Sequence, residues 1–281
     1  MDVLTSIAEC RMARALYPRL GFVPTMGYLH AGHLSLVRRA KAECGAVAVS
    51  IFVNPTQFGP SEDFARYPRD PERDLALLRK AGADWVFLPD VETMYPPGAT
   101  TFIDVGAVAT MLEGAVRPGH FRGVATVVAK LFNIVQPSRA YFGQKDAQQC
   151  VVIRRMARDL DMAVEVVVCP TVREPDGLAM SSRNAYLKPA ERQAAGVVYR
   201  ALCAAEARYA SGEQDAEALR KTMRTVLATV PHAGIDYVSV ADPEALTELD
   251  GIGPKGALLS LAVRFGGTRL IDNIVLPERS N

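Results

Sequence analysis

The chain has 281 residues, 49% hydrophobic and 22% charged, with a formal net charge of +1. That is enough apolar material for a sizeable core divided between a larger and a smaller domain, and the near-neutral balance argues against a nucleic-acid binder that relies on a strong basic field. The five cysteines, Cys10, Cys44, Cys150, Cys169 and Cys203, are widely spaced and form no C-x-x-C, which points to reduced thiols and a cytoplasmic protein. No basic-then-apolar leader opens the chain, and the longest apolar runs, such as Gly45 to Val53, are too short to cross a bilayer, so no membrane association is expected.

Asp2 to Arg14 shows helical spacing at Val3, Ile7 and Met12, which predicts an opening helix. Leu20 to Val23 reads as a short strand stopped by Pro24, Gly27 as a turn, and the residues from Gly32 onward as a helix. His30 and His33 stand three residues apart where that helix begins, beside unpaired backbone N–H groups and the positive end of the helix dipole. An anion, above all a phosphate, suits such a place. Taken alone, the pair is equally well read as two solvated histidines. As metal ligands they lack company, since only His120 and His232 remain, neither near a Cys or His partner.

Ala46 to Val53 has the continuous apolar character of a strand buried on both faces, and it ends in the loop Asn54 to Pro60. Asp70 caps a helix with Pro71 at its first position, running to about Ala81, and Trp85 to Leu88 is a third strand. The alternation predicts a doubly wound parallel sheet with helices on both faces. Thr93 to Gly119 is irregular, an excursion at the sheet edge with one short strand around Thr101 to Val105. Arg122 to Val135 reads as a buried helix and Ala140 to Phe142 as a strand. Gly143 to Gln149 then opens a helix to about Asp159, Val164 to Val168 is a strand, and Pro170 to Asn184 is a polar loop. Beyond Pro189 come two Ala-rich helices, Pro189 to Ala210 and Asp215 to Val230. The runs Ile235 to Val240, Ala257 to Val263 and Arg269 to Ile274 suggest a small antiparallel sheet. The domain boundary falls near Val172.

Gly251 to Gly256 matches G-x-G-x-x-G but precedes a strand-like run and contains Pro254, so it reads as a surface turn, not a dinucleotide fingerprint. No Walker-type loop occurs. The polar segments at the carboxyl ends of strands are more informative. His30 and His33, Asn54 to Gly59, Gly143 to Gln149 and Met180 to Arg183 can meet in one crevice of such a sheet. Lys145 and Arg183 are cations, Ser181 and Ser182 hydroxyl donors, and Gln57 and Gln149 amides suited to hydroxyl and carboxylate groups. Separately, each has a bland reading as a solvated residue or a helix cap; together they suggest a nucleoside triphosphate.

The segments H-A-G-H (30–33), F-V-N-P-T-Q-F-G (52–59), G-H-F-R-G-V (119–124), G-Q-K-D-A-Q-Q (143–149) and R-E-P-D-G-L-A-M-S-S-R-N (173–184) resemble the pantoate–beta-alanine ligase family of the H-x-G-H nucleotidyltransferase superfamily. The resemblance implies a Rossmann-like domain over 1–171 that binds ATP and pantoate, and a smaller α+β lid over 172–281. It implies ATP-dependent condensation of pantoate with beta-alanine through a pantoyl adenylate, releasing pyrophosphate and AMP. Carried over by motif, Pro24, Met26, Gly27, Tyr28, Leu29, His30, Ala31, Gly32 and His33 line the ATP site, with Gly143, Gln144, Lys145, Asp146, Val172 and Met180. His33 leads the catalytic candidates, with His30, Lys145, Ser181, Ser182 and Arg183 on the phosphates, while Gln57 and Gln149 take pantoate and beta-alanine. Met180 to Arg183 also resembles the mobile K-M-S-K-S loop of class I tRNA synthetases. Gln144 stands where the family has Glu, Thr56 where Met is common, and Arg73 precedes Asp74 where neighbouring acids are frequent. Mg2+ is therefore expected through the triphosphate, with Asp74 as the candidate protein ligand. A homodimer is also implied. The competing readings are a transferase acting on a phosphate acceptor, which calls for more basic residues than Gln57 and Gln149 offer, a tRNA synthetase, and a silent nucleotide-binding regulator.

Overall fold

Six parallel strands form the sheet of the first of two units. The structure, a computed structural model, describes residues 1–59, 64–231 and 233–278, so the readings placed on Pro60 and His232 lie outside the described residues. One unit comprises residues 1–144 and 148–170, the other residues 145–147 and those from Thr171 onward.

In the first unit, β1 (Asp2–Leu4), α1 (Ile7–Ala15), β2 (Gly21–Thr25), α2 (Ala31–Cys44), β3 (Val47–Ile51), α3 (Pro71–Ala81) and β4 (Trp85–Phe87) follow in order. The short helices α4 (Val91–Met94) and α5 (Glu113–Val116) lead to α6 (His120–Val135), β5 (Arg139–Gly143), α7 (Ala147–Asp159) and β6 (Glu165–Cys169). The strand order is β1-β4-β3-β2-β5-β6, parallel at each pairing. Side chains alternate between two buried faces, which is why the strands read as unbroken apolar runs. Val23, Val49, Val86 and Tyr141 pack with Leu36, Val37 and Ala40 of α2 and Leu78 of α3. On the opposite face the Phe142 ring meets Phe132 of α6 at 6.4 Å. From β2 the order runs outward through β3 to β4, and from β5 to β6. The switch point therefore lies between β2 and β5, where open α/β sheets take their ligands.

Two local expectations fail in the first unit. Asp2 to Leu4 is a strand pairing with β4, and the helix starts only at Ile7, where Ser6 and Glu9 form a capping box. Three residues carry too little periodicity to distinguish the two conformations; the open edge of β4 decides. Residues 101–105 form no strand, because the Ile103 N–H is satisfied by Thr126 Oγ1 at 3.0 Å, a side chain of α6. The excursion itself is tied to helices: Gln148, buried at the start of α7, donates to Val108 O and Met111 O and accepts from Glu113 N.

The second unit contains α8 (Pro189–Ala194), α9 (Val197–Ala210), α10 (Ala216–Leu227) and three antiparallel strands, β7 (Ala233–Ala241), β8 (Ala257–Phe265) and β9 (Thr268–Leu276), in the order β7-β8-β9. Its core joins Ala201, Leu202, Leu219 and Met223 of the helices to Val240, Leu259, Leu261 and Leu270 of the sheet. The single helix expected from Pro189 to Ala210 is broken between Ala194 and Val197. The Gly251 to Gly256 segment leads directly into β8 and opens no helix, as expected of a turn.

Helix α6 passes so close to the turn after β3 that a Cβ at Gly123 would stand 2.8 Å from Gln57 N and 2.7 Å from the Thr56 carbonyl carbon. Both are backbone atoms that cannot rotate away. Gly123→Ala is expected to lower unfolding stability by about 1–3 kcal/mol, the usual cost of overpacking, in urea denaturation. An unchanged midpoint would show that the turn yields freely.

Candidate active site

The loop between β2 and α2 is shaped by residues distant in sequence. Gly27 and Tyr28 both have positive φ, at 81° and 50°, which turns the chain sharply after Met26. Asp74 on α3 stabilises this turn: its two carboxylate oxygens accept the Tyr28 N–H at 2.6 Å and the Leu29 N–H at 2.7 Å. Arg73 adds a bond from Nη2 to Leu29 O at 3.1 Å and lies over the Tyr28 ring at 5.4 Å. Burial pushes the Asp74 carboxyl above its ordinary range, while the Leu29 and Tyr28 N–H groups and the neighbouring Arg73 act against that rise. The carboxylate is 1% exposed with each oxygen accepting a backbone N–H, so the residue offered from sequence as a candidate Mg2+ ligand is a strut of the loop.

The chain then enters α2 through a reciprocal cap. His30 is the N-cap, and its Nδ1 accepts the Gly32 N–H at 3.2 Å; His33, three residues on, accepts the His30 N–H at Nδ1 at 3.3 Å. The rings lie 4.1 Å apart. Imidazoles here occupy the two positions that Ser or Thr and Glu hold in the usual capping box. The backbone N–H groups of His30 and Gly32, expected to be open to an anion, are thus taken by the rings. With Nδ1 accepting, each neutral ring carries its proton on Nε2.

Gln57 belongs to the same unit, in the 3-10 turn Pro55–Gln57 beyond β3. The side chain is buried. Its Oε1 accepts from Asn54 Nδ2 at 3.2 Å and its Nε2 points to Met26 Sδ at 3.1 Å, which joins the β3 loop to the β2 loop. Asn54 is itself held by Gly123 O and by the Tyr95 hydroxyl, which donates to its Oδ1 at 2.9 Å. His120 donates from Nδ1 to Gln57 O at 2.8 Å, since a carbonyl can only accept, and its Nε2 accepts from Arg117 Nη1 at 3.0 Å. Asn54, Tyr95, Arg117 and His120 therefore set the position of Gln57, and sequence reading assigned none of them that role. The signal available was the quoted motif around His120, without any hint of its target. Gln149 lies partly exposed in the first turn of α7, and its neighbour Gln148 turns inward to the excursion. Burial, with Glu9 nearby, pushes the Cys10 thiol up to about 12, and burial also raises Cys169, so neither is a ready thiolate.

The second unit holds the remaining candidates. Lys145 and Asp146 lie in the 3-10 turn Gln144–Asp146 that follows β5, with Lys145 Nζ 3.5 Å from Asp146 Oδ1. The loop expected over residues 170–184 contains a small hairpin. Arg173 bridges Ala179, Met180 N donates to Val172 O at 3.0 Å, and Gly177 at φ 89° makes the turn. Ser181 then caps the 3-10 helix Ser182–Tyr186, its hydroxyl accepting the Arg183 N–H at 3.2 Å. Val172, Met180, Ser181, Ser182 and Arg183 thus share one local structure, as the motif suggested.

A parallel sheet with polar loops at its carboxyl edge and a histidine-capped helix beside its switch point is the arrangement of a doubly wound α/β ligand-binding protein. The family model described as pantoate–beta-alanine ligase matches residues 2–275. A pantothenate synthetase of Chloroflexus aggregans is 67% identical over 276 residues, covering 98% of this chain and all of that one. Among solved structures, pantothenate synthetase from Thermus thermophilus superposes with a TM-score of 0.93 at 53% identity, over 98% of this chain and 99% of that one. The pantoate–beta-alanine ligase of Francisella tularensis, complexed with beta-gamma ATP and beta-alanine, does so at 0.79 and 34% identity, over 98% and 97%. The chain belongs to the pantoate–beta-alanine ligase family, and ligation of pantoate to beta-alanine is its activity.

Asp74→Asn replaces one acceptor by an NH2 group facing a backbone N–H. It is expected to destabilise the protein by about 2–3 kcal/mol, the scale of a lost hydrogen bond to a charged group. Urea unfolding with and without Mg2+ tests this; a loss that appears only with Mg2+ present would restore Asp74 as a metal ligand.

Proposed function

We propose that the chain joins pantoate to beta-alanine through a pantoyl adenylate, with His33 and His30 as neutral donors to the phosphates of ATP. The observation that carries the reading is the reciprocal cap, which puts both rings at the positive end of α2 with the proton of each on Nε2. The pantoate carboxylate attacks the α-phosphorus, pyrophosphate departs, and the amine of beta-alanine then displaces AMP from the acyl carbon. Charge grows on the α-phosphate oxygens and on the leaving group, so fixed donors and cations lower the barrier without a protein nucleophile.

In this reading Pro24, Met26 to His33, Gly143, Gln144, Asp146, Val172 and Met180 line the nucleotide, while Lys145, Ser181, Ser182 and Arg183 hold the phosphates, the two cations by charge and the two hydroxyls as donors. Gln57, with its amide fixed by Asn54, takes the pantoate hydroxyl or carboxylate together with Gln149. Residues 1–171 bind ATP and pantoate, and 172–281 act as the lid. Among the described residues no group of three His, Cys, Asp or Glu side chains could hold a metal ion, and the Asp74 oxygens are engaged. Mg2+ accordingly arrives as the counter-ion of the triphosphate, held by phosphate oxygens and water. In this reading the protein acts in the cytoplasm as a homodimer. Among the described residues no helix is long and apolar enough to cross a membrane.

Product analysis after mixing the protein with Mg2+, ATP, pantoate and beta-alanine is expected to give AMP and pyrophosphate; ADP would refute adenylation. His33→Ala is expected to fold and to lose at least about a hundredfold in pantoate-dependent ATP–pyrophosphate exchange, the effect typical of one missing transition-state donor. Undiminished exchange would remove His33 from the mechanism.

A further inference from the structure

Adjacent residues of a strand point to opposite faces, and β9 places two buried polar residues, Asp272 and Asn273, side by side. Asp272 pairs with Leu261 in register and shares the helix-facing side with Leu259, Leu261 and Leu270. Asn273 pairs with Ser260 on the other side. Both are almost fully buried, at 2% and 4% exposure, where a polar side chain is tolerated only with partners.

The partners are the segments that carry the cations. Arg173 grips Asp272 with both terminal nitrogens, at 2.6 and 3.1 Å, donates to Gly177 O at 3.1 Å and lies 3.8 Å over the Tyr199 ring. Through this fork the hairpin from Val172 to Met180 is anchored to β9, and Ser181 to Arg183 leave that hairpin directly. On the opposite face Asn273 Nδ2 donates to the main-chain oxygen of Lys145 at 2.9 Å. The Asn273 N–H donates to Asp272 Oδ1 at 2.8 Å, so the two anchors are themselves joined.

We propose that Asp272 and Asn273 are positioning residues for adenylate formation: one strand sets the backbone of Lys145 and the hairpin bearing Arg183, and thereby where both cations meet the phosphates. The inference rests on the adenylation reading given above and adds to it the group that aligns the cations. Neither residue touches substrate; each acts through the segment it holds. Phosphate neutralisation depends on cation position to within about 0.5 Å, so a main-chain anchor matters as much as the charge it places.

The test is a double-mutant cycle on the full chain, read by pantoate-dependent ATP–pyrophosphate exchange. Asn273→Ala is expected to slow exchange about tenfold or more, within the range that a displacement of reacting groups produces. In a Lys145→Ala background the same change is expected to cost less than about twofold, because the cation that Asn273 aligns is gone. A general structural defect would cost the same in both backgrounds, and that outcome, or unchanged exchange in Asn273→Ala, overturns the proposal. Should Asn273→Ala not fold, Arg173→Lys keeps a cation beside Asp272 but loses the fork, and its defect is expected to vanish likewise in an Arg183→Ala background. Absence of exchange in the unaltered protein would strike the adenylation reading itself. Exchange that needs Lys145 but is indifferent to Asn273 and Arg173 would strike only the positioning role.

Discussion

Between β2 and α2 the backbone passes through two left-handed residues, and at Tyr28 that conformation costs about 1 kcal/mol because the side chain crowds the following carbonyl. Asp74 offsets it. Two charge-assisted hydrogen bonds to consecutive N–H groups contribute about 1.5–3 kcal/mol each, more than the strain. The placement of His30 at the helix start, and with it the orientation of His33, follows from that turn. A buried negative charge is thereby built in beside the loop. It is tolerable because its lone pairs face inward to the backbone and Arg73 stands beside it.

The histidines of the first unit illustrate how a neutral ring is assigned a role by what its partner can do. His30 and His33 accept backbone N–H groups at Nδ1 and so present Nε2–H; His120 donates from Nδ1 to Gln57 O and accepts from Arg117 at Nε2. The same side chain caps a helix in one place and props a loop carbonyl in the other. The bland reading of His30 and His33 is two solvated histidines; the structure makes them the reciprocal cap of α2.

The second unit applies the same economy to a strand. An antiparallel sheet with one helix-packed face has two distinct sides, and β9 uses successive residues to hold a loop from each. Arg173 is the joint. It is forked to a carboxylate, stacked on Tyr199 and bonded to the hairpin turn, a combination that lysine cannot reproduce. Its position at the head of the R-E-P-D-G-L-A-M-S-S-R-N segment gives that run a physical meaning: an anchor, a tight turn at Gly177, and then the polar residues.

What the amino-acid sequence determined by itself was whatever depends on short range. The parallel sheet was legible in apolar runs such as Ala46 to Val53, and α3 in its Asp70 cap and Pro71 start. The histidine pair, the Asn54 to Gln57 turn and the Met180 to Arg183 segment stood out as motifs whose chemistry suited one ligand. Tertiary structure decided what depends on partners far along the chain. Asp74 reaches back 46 residues to Tyr28, and Asn273 reaches 128 residues to Lys145. Asp2 to Leu4 became a strand because β4 offered an edge, whereas residues 101–105 did not because Thr126 took the Ile103 N–H. Periodicity records which face of an element is apolar, but a single polar side chain carries no mark of the distant backbone group it will satisfy. That choice is made only when packing brings the two together and leaves neither any water.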